Sequence, residues 1–324
     1  MCDDPAPDAP GGALTRGAVG RVGEDGAVGR RGPRLLGAIG AAGAVVVLAA
    51  CGSDAGTVTQ QPDLSGMHLT VGSTLMDDSV LLAELYAQAL ESKGATVTRR
   101  NTLSTRQDYF PLLVDGTLDL VPERSDRLLA WLTSEDTPTA RSSTEQIDAL
   151  ATALPAGLAV LSPSAAEDKF GIACREQVAV DHQLENLSDL EHSATPIRVG
   201  ATDEQRAVFG SVLHAVTPLP DAEAVADAME ERTVDCGTLR TSDPHIARDH
   251  LVALDDDQLV VPSQVVVPLI GTARATPEVQ AVLDAASSTL DTAALRELLA
   301  KVELDGDDPA AVVREWLQDN GLAR

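Results

Sequence analysis

Aromatic residues are scarce: two Trp, two Tyr and three Phe make up 2% of 324 residues. A core must therefore be built from Leu, Val, Ile and Ala. A site needing several aromatic faces has only Tyr86, Tyr109, Phe110, Trp131, Phe170, Phe209 and Trp316 to draw on. Positive charge is also short, 24 Lys and Arg against 50 Asp and Glu, and the net charge of −26 argues against nucleic acid as a partner. The six histidines are scattered, and His245 and His250 lie off a common helical face, so neither a metal site nor a catalytic triad follows from them. No Gly-x-Ser-x-Gly elbow, phosphate loop or metal-ligand spacing is present. The expectation is a protein that is not an enzyme and carries no cofactor or metal. No uncharged run near the start reaches a full membrane span of about 20 residues. The run over residues 35–50 has sixteen and is interrupted by glycine.

That short run is informative. Arg30, Arg31 and Arg34 precede it, Leu48-Ala49-Ala50-Cys51 closes it, and Gly52-Ser53-Asp54 follows. The arrangement resembles a bacterial lipobox, which implies a signal peptide over residues 1–50 with a long n-region and lipidation of Cys51. Basic residues hold the n-region inside while the apolar stretch enters the bilayer. The mature protein is then expected on the extracytoplasmic face of the cell membrane. Residues 1–50 hold five acidic and five basic residues, so the mature chain keeps the net charge of −26. Such a surface avoids anionic lipid, and one acyl chain binds weakly, so a multiply acylated (palmitate-bearing) Cys51 is the expected anchor. Residues 51–66, rich in Gly, Ser, Thr, Gln, Pro and Asp, read as a flexible tether. Setting aside Cys2 and Cys51 leaves Cys174 and Cys236, either a disulfide formed outside the cytoplasm or two buried thiols.

The folded part begins abruptly. Residues 67–73 alternate like a strand; 79–93 repeat helically, with Leu81, Leu82, Leu85 and Ala89 on one face, Asp77-Asp78 before them and Gly94 after. Strands at 95–99 and 117–121 flank a helix at 106–114. Alternating strands and helices predict a parallel sheet, with a ligand crevice at the strand C-ends in loops 73–78, 102–105 and 122–127. A helix at 143–154 and a strand at 157–161 follow. A second α/β region then carries strands at 171–174, 197–200 and 234–239, helices at 203–213 and 222–231, and a short segment at 251–254. A strand at 264–270 and helices at 277–288, 292–302 and 309–320 complete the chain. The order predicts an α/β fold with a discontinuous first lobe, 67–162 and 265–324, and a second lobe, 163–264. The chain would cross between them near 161–170 and 261–267.

Several blocks carry a family resemblance: Leu69-Thr70-Val71-Gly72-Ser73, Gly94-Ala95-Thr96-Val97, Asp115-Gly116-Thr117-Leu118-Asp119-Leu120-Val121-Pro122-Glu123 and Thr241-Ser242-Asp243-Pro244-His245-Ile246. They resemble the substrate-binding proteins of glycine betaine/choline (osmoprotectant, quaternary amine) ABC transporters. The resemblance implies a type II periplasmic-binding fold, two lobes closing on a small ligand in a central cleft, and docking on an ABC permease, with the protein a monomer. The ligand loops depart from the family. Where members read Pro-Glu-Tyr-Thr-Gly-Thr, this chain has Pro122-Glu123-Arg124-Ser125-Asp126-Arg127. The first loop has Thr74, Met76, Asp78 and Ser79, and only Arg106 survives from the second loop's Gly-Ser-Arg. The resemblance points to Ser73, Thr74, Met76, Arg106, Arg124, Ser125, Arg127, Phe170 and Asp243 as ligand candidates. Phe170 reads as a cleft wall or hinge plug, and Asp243 as a helix cap before a cleft residue.

Two readings of the arginines stay open. In one, Arg106, Arg124 and Arg127 recognise a carboxylate or zwitterion instead of a quaternary amine, which bare guanidinium groups repel. In the other, Arg124, Asp126 and Arg127 form a solvated ion-pair patch over a lost site. The corresponding functions are a solute-binding lipoprotein of an ABC importer, or a sensor or interaction lipoprotein that keeps the two-lobe scaffold.

Overall fold

The computed structural model describes residues 62–134, 139–210, 212–213 and 215–323. The signal over 1–50, Cys51 and the tether as far as residue 61 lie outside the described residues. The chain begins with β1 (His68–Thr74), α1 (Asp77–Glu91), β2 (Thr96–Leu103), α2 (Arg106–Val114), β3 (Leu120–Arg124), α3 (Ser125–Thr133), α4 (Ser143–Ala153) and β4 (Leu158–Val160). It continues through β5 (Phe170–Arg175), α5 (Glu176–His182), α6 (Leu187–His192), β6 (Arg198–Ala201), α7 (Asp203–Val208), β7 (Ala215–Pro218), α8 (Ala222–Glu230), β8 (Cys236–Arg240), α9 (Pro244–Arg248) and β9 (Leu251–Ala253). It returns through β10 (Val266–Gly271), α10 (Pro277–Thr289), α11 (Thr292–Leu299), a π-helical turn (Ala300–Leu304) and α12 (Pro309–Asp319).

Two five-stranded sheets result, ordered β2-β1-β3-β10-β4 and β7-β6-β8-β5-β9. Each anchors one α/β lobe of a type II binding-protein fold. The expected parallel pairing holds within β2-β1-β3 and β7-β6-β8. The sheets are nevertheless mixed, because β10 runs antiparallel to β3 and β4, and β5 antiparallel to β8 and β9. β10 arrives from the other lobe, with no crossover helix on its own sheet, and so is free to enter against its neighbours.

Local signals explain most helices. Asp77 and Asp78 sit in the first turn of α1, where they complement the helix dipole. Gly94 takes φ +98°, turning the chain into β2 beside Ser65, a conformation that L side chains disfavour. Thr276 and Asp308 accept hydrogen bonds at the N-termini of α10 and α12, with proline in the first turn of each. The first sheet is covered on both faces. Leu69 and Val71 pack with Leu81, Leu85, Tyr86, Leu283 and Leu317 on one side. Tyr109, Phe110, Leu113, Leu128, Leu150 and Leu269 fill the other. The second lobe has its own two clusters, one around Phe209 and one around Met229. Aromatics are thus used mainly as packing, and Tyr86 and Phe209 are fully buried.

Several boundaries differ from the sequence reading. The third strand spans 120–124 rather than 117–121, because Leu120 to Arg124 pair with Ile270 to Val266 of β10. No loop occupies 122–127: α3 starts at Ser125 directly after β3, with Arg124 at its N-cap. The helix expected over 203–213 ends at Val208, where the fully buried Phe209 takes the C-cap position. The helix expected over 292–302 stops at Leu299 and widens into the π-helical turn. Elements α3, α5, α6 and β7 were not expected, and the last three have seven residues or fewer, too short for periodicity to announce.

The chain passes between the sheets through two antiparallel segments that hydrogen-bond to each other. Ser164 donates its backbone N–H to Val266 (2.8 Å), Asp168 donates to Gln264 (2.8 Å), and Glu167 bridges to Val265. Cys174 and Cys236 are register partners on β5 and β8 and are disulfide-bonded, both fully buried. The bond closes a sequence separation of 62 residues. Its removal in a C174A/C236A variant should lower unfolding free energy by about 2–4 kcal/mol, read as a lower urea midpoint, with a steeper slope because the denatured chain without the cross-link exposes more surface.

Candidate functional site

The C-terminal ends of β1, β2 and β3 converge on the first lobe's side of the cleft. Residues Thr74 to Ser79, Ser104 to Tyr109 and Val121 to Arg127 contribute to a concavity of about 370 Å³. Two concavities of about 550 Å³ lie elsewhere, one between α1 and α12 and one beside the crossing segments. The smaller one is the candidate because it sits at the strand C-ends, where an open α/β sheet places its ligands.

Of the expected site residues, Thr74, Met76, Arg106, Arg124 and Arg127 come together in this concavity. Thr74 is half-buried and its N–H donates to Ser79 Oγ (3.0 Å), while Met76 is 67% exposed at the rim. Ser73 and Ser125 are fully buried and do not line it. Ser125 Oγ donates to Gln146 Oε1 (2.6 Å) and accepts from the Val265 N–H (3.2 Å), tying α3 to α4 and to the return crossing. Phe170 lies at the start of β5 with the Arg240 guanidinium over its ring, 5.0 Å from the centroid. Asp243 caps α9, accepting from the His245 N–H (2.9 Å) and contacting the His245 ring.

The arginines are held by carboxylates of the fold. Arg106, at the start of α2, forks onto Glu123 of β3 through Nε and Nη2, both at 2.8 Å. Tyr109 donates its hydroxyl to the same carboxylate. Glu123 is 5% exposed, so these partners compensate a buried charge. Burial opposes the charge on Arg106, but Glu123 outweighs it and its pKa is raised; burial and then Glu123 push the Tyr109 phenol upward. Trp131 packs on Phe110 at 4.6 Å, with the Arg106 guanidinium 6.0 Å from its ring. Arg124 donates Nη2 to Asp78 (2.6 Å) and Nε to Asp168. Burial disfavours its charge, and Asp168 and Asp78 restore it. Arg127 is exposed, and its guanidinium has no ion-pair partner among the described residues.

Asp126 does not pair with an arginine side chain. It accepts from Gln264 Nε2 (2.5 Å) and from the Arg127 N–H (2.6 Å), and burial raises its pKa. The solvated patch of Arg124, Asp126 and Arg127 is therefore not the arrangement found. Sequence reasoning missed Glu123 and Tyr109, which line the concavity, Asp168, which holds Arg124 from outside its lining, and Glu303, whose carboxyl feels Asp78 and Asp168. Glu303 lies in the π-helical turn, which packs against α9 of the second lobe. Partial burial, then Asp78, Asp77, Asp243 and Asp168, push its carboxyl up to about 7.

Comparisons with known proteins identify the family and the fold. A family described as the substrate binding domain of ABC-type glycine betaine transport systems matches residues 67–319. The glycine betaine-binding protein YehZ of Escherichia coli (strain K12) is 24% identical over 307 residues, covering 87% of this chain and 98% of that protein. The solved structure of apo YehZ from E. coli superposes with a TM-score of 0.72 at 23% identity, covering 79% of this chain and 99% of that one. A glycine betaine/carnitine/choline ABC transporter structure gives 0.69 at 16% identity, covering 79% and 98%. At these identities the superpositions establish the fold.

Two substitutions test the electrostatics. Glu123→Ala leaves Arg106 and Tyr109 without their acceptor and should cost about 3 kcal/mol in chemical denaturation. Glu303 has a folded pKa above its ordinary 4.5, so the native state binds more protons between 4.5 and about 7 and stability falls as pH rises through that window. Glu303→Gln should match the wild type near pH 4.5 and melt higher than it at pH 8; equal melting curves at both pH values would refute this.

Proposed function

The chain belongs to the substrate-binding domains of ABC-type glycine betaine transport systems, and from that premise we propose that it captures a small zwitterionic or cationic solute in the first-lobe concavity. It then presents the solute to an ABC permease from the outer face of the membrane, held there by lipid on Cys51. Among the described residues no helix is long and apolar enough to cross a membrane. The family favours transport over the sensor reading.

The observation that carries the ligand class is the matching of Arg106 by Glu123 and of Arg124 by Asp78 and Asp168. A receptor for simple carboxylates needs free guanidinium groups, and two of the three candidates are already bidentate or bridged. The objection that bare arginines repel a quaternary amine loses most of its force for the same reason. Of the three, Arg127 makes no salt bridge among the described residues, although its charge acts on Asp126, and its guanidinium can meet one carboxylate, which suits the anionic end of a zwitterion. Tyr109 is the one aromatic lining the concavity, and it is 4% exposed. Each well-placed ring is worth about 1–2 kcal/mol to a desolvated cation, so lacking two such rings weakens binding by about 30-fold or more.

Titrating glycine betaine, choline, carnitine, proline betaine and simple carboxylates while following tryptophan fluorescence and thermal shift should show saturable binding of a zwitterion or cation and none of acetate or succinate. Silence across the panel, or binding of carboxylates alone, would refute the ligand class. Arg127→Ala should weaken a zwitterion about tenfold and leave choline unchanged, since only the zwitterion offers a carboxylate. Cys51→Ala should move the protein from the membrane fraction to the soluble one; persistence in the membrane would exclude lipid on Cys51 as the anchor.

A further inference from the structure

The Arg124 side chain is 12% exposed and sits where two carboxylates of different origin converge. Asp78 comes from the first turn of α1, and Asp168 from the segment that crosses between lobes. Asp168 is 4% exposed, and its other oxygen accepts from Arg240 Nη1 (3.1 Å) and from Ser242 Oγ. Arg240 also donates to the Asp168 backbone carbonyl (2.6 Å) and to Gln264 Oε1 (3.0 Å). One continuous set of charge-assisted bonds therefore runs from β3, through the crossing, to the end of β8.

We infer that Arg124 is a tethered internal cation and a specificity-determining residue: it occupies a cation subsite built by Asp78 and Asp168. This deepens the solute-binding reading above and rests on it for its biological meaning. A guanidinium is planar and forked, and it meets two carboxylates at once through separate nitrogens. Without it, Asp78 has no cationic partner, and Asp168 keeps only Arg240. A buried or half-buried carboxylate pair left so is a strong attractor for a small hydrogen-bonding cation. Arg124 fills that place from within the chain. It excludes free guanidinium and primary ammonium groups, and it leaves to the solute the part of the concavity between Met76, Ser104 and Arg127. The same bridge ties β3 to the crossing segment and, through Asp168, to Arg240 at the end of β8.

The test is chemical rescue, with no need for the natural solute. The full-length protein in detergent is melted against methylguanidinium chloride at constant ionic strength, as wild type and as Arg124→Ala. The wild type should not respond saturably, because its subsite is filled. Arg124→Ala should start lower and rise by about 3–5 °C with saturation in the millimolar range. Adding Asp78→Asn to it should abolish the rise. Arg124→Gln, which keeps the aliphatic stem as far as Cδ and ends in a neutral amide short of the guanidinium position, serves if the alanine variant does not fold, with the same expectation. Equal responses of wild type and variant, or a rise that survives Asp78→Asn, would overturn the inference. Because the probe is methylguanidinium, such a result leaves the solute panel to be judged separately.

Discussion

The arrangement of the cleft depends on one carboxylate, Asp168. It lies in a backbone segment fixed by the Asp168 N–H to Gln264 carbonyl bond, so its position is set by the antiparallel pairing of the two crossings. From that point it holds Arg124 of the first lobe with one oxygen and Arg240 and Ser242 of the second with the other. A carboxylate 4% exposed has lost its water, and three donors in place of it are what make its burial tolerable. Removing any donor unbalances the rest, so the cleft behaves as one electrostatic unit.

That unit exists because the sheet brings distant residues to a single edge. The C-terminal ends of β1, β2 and β3 deliver Thr74, Ser104 and Arg124 to the same rim. β10, arriving antiparallel from the other lobe, extends β3 as far as Arg124 and fixes the direction in which that side chain leaves the sheet. The mixed topology is thus part of the site: a loop at 122–127 would leave Arg124 free to fold away from Asp168. Ser125, buried beneath, locks the start of α3 to Gln146 and to the return crossing.

Much of the fold was legible because its signals are local. The helix at Arg106–Val114 has the bounds that the sequence suggests, since Thr105 and Asp108 mark its start and Asp115-Gly116 its end. The scarcity of aromatics also read correctly as an aliphatic core with little available for a cage. What failed to read was long-range. The extent of β3 is decided by a strand more than 140 residues later, and no local pattern in 117–127 reveals it. Arg124 finds partners 44 and 46 residues away, so its charge state within the cleft was invisible even though its position was not. Asp126, the nearest carboxylate in sequence, was the natural partner to suppose; the start of α3 turns it toward Gln264 instead. The register of Cys174 and Cys236 belongs to the same class, since pairing across β5 and β8 emerges only with the sheet.

Charge pairs and aromatic faces select ligands by different physics. A ring attracts any cation that touches it, with no hydrogen-bond requirement, whereas a carboxylate bridged to an arginine offers an exchange, and exchange rewards a donor of matching geometry. A quaternary ammonium has no donors and so cannot replace Arg124 at Asp78 and Asp168; it can only settle beside them, where their charges are already balanced. Arg127, at the concavity, makes no salt bridge among the described residues, and Glu303 lies on the π-helical turn packed against α9. Partial burial and the nearby Asp78, Asp77, Asp243 and Asp168 push the Glu303 carboxyl up to about 7, so the charge on that turn changes near neutrality. Pairing inside the concavity thus restricts where an unpaired charge can lie: with Arg106 held by Glu123 and Arg124 by Asp78 and Asp168, the arginine left without a salt bridge among the described residues is Arg127.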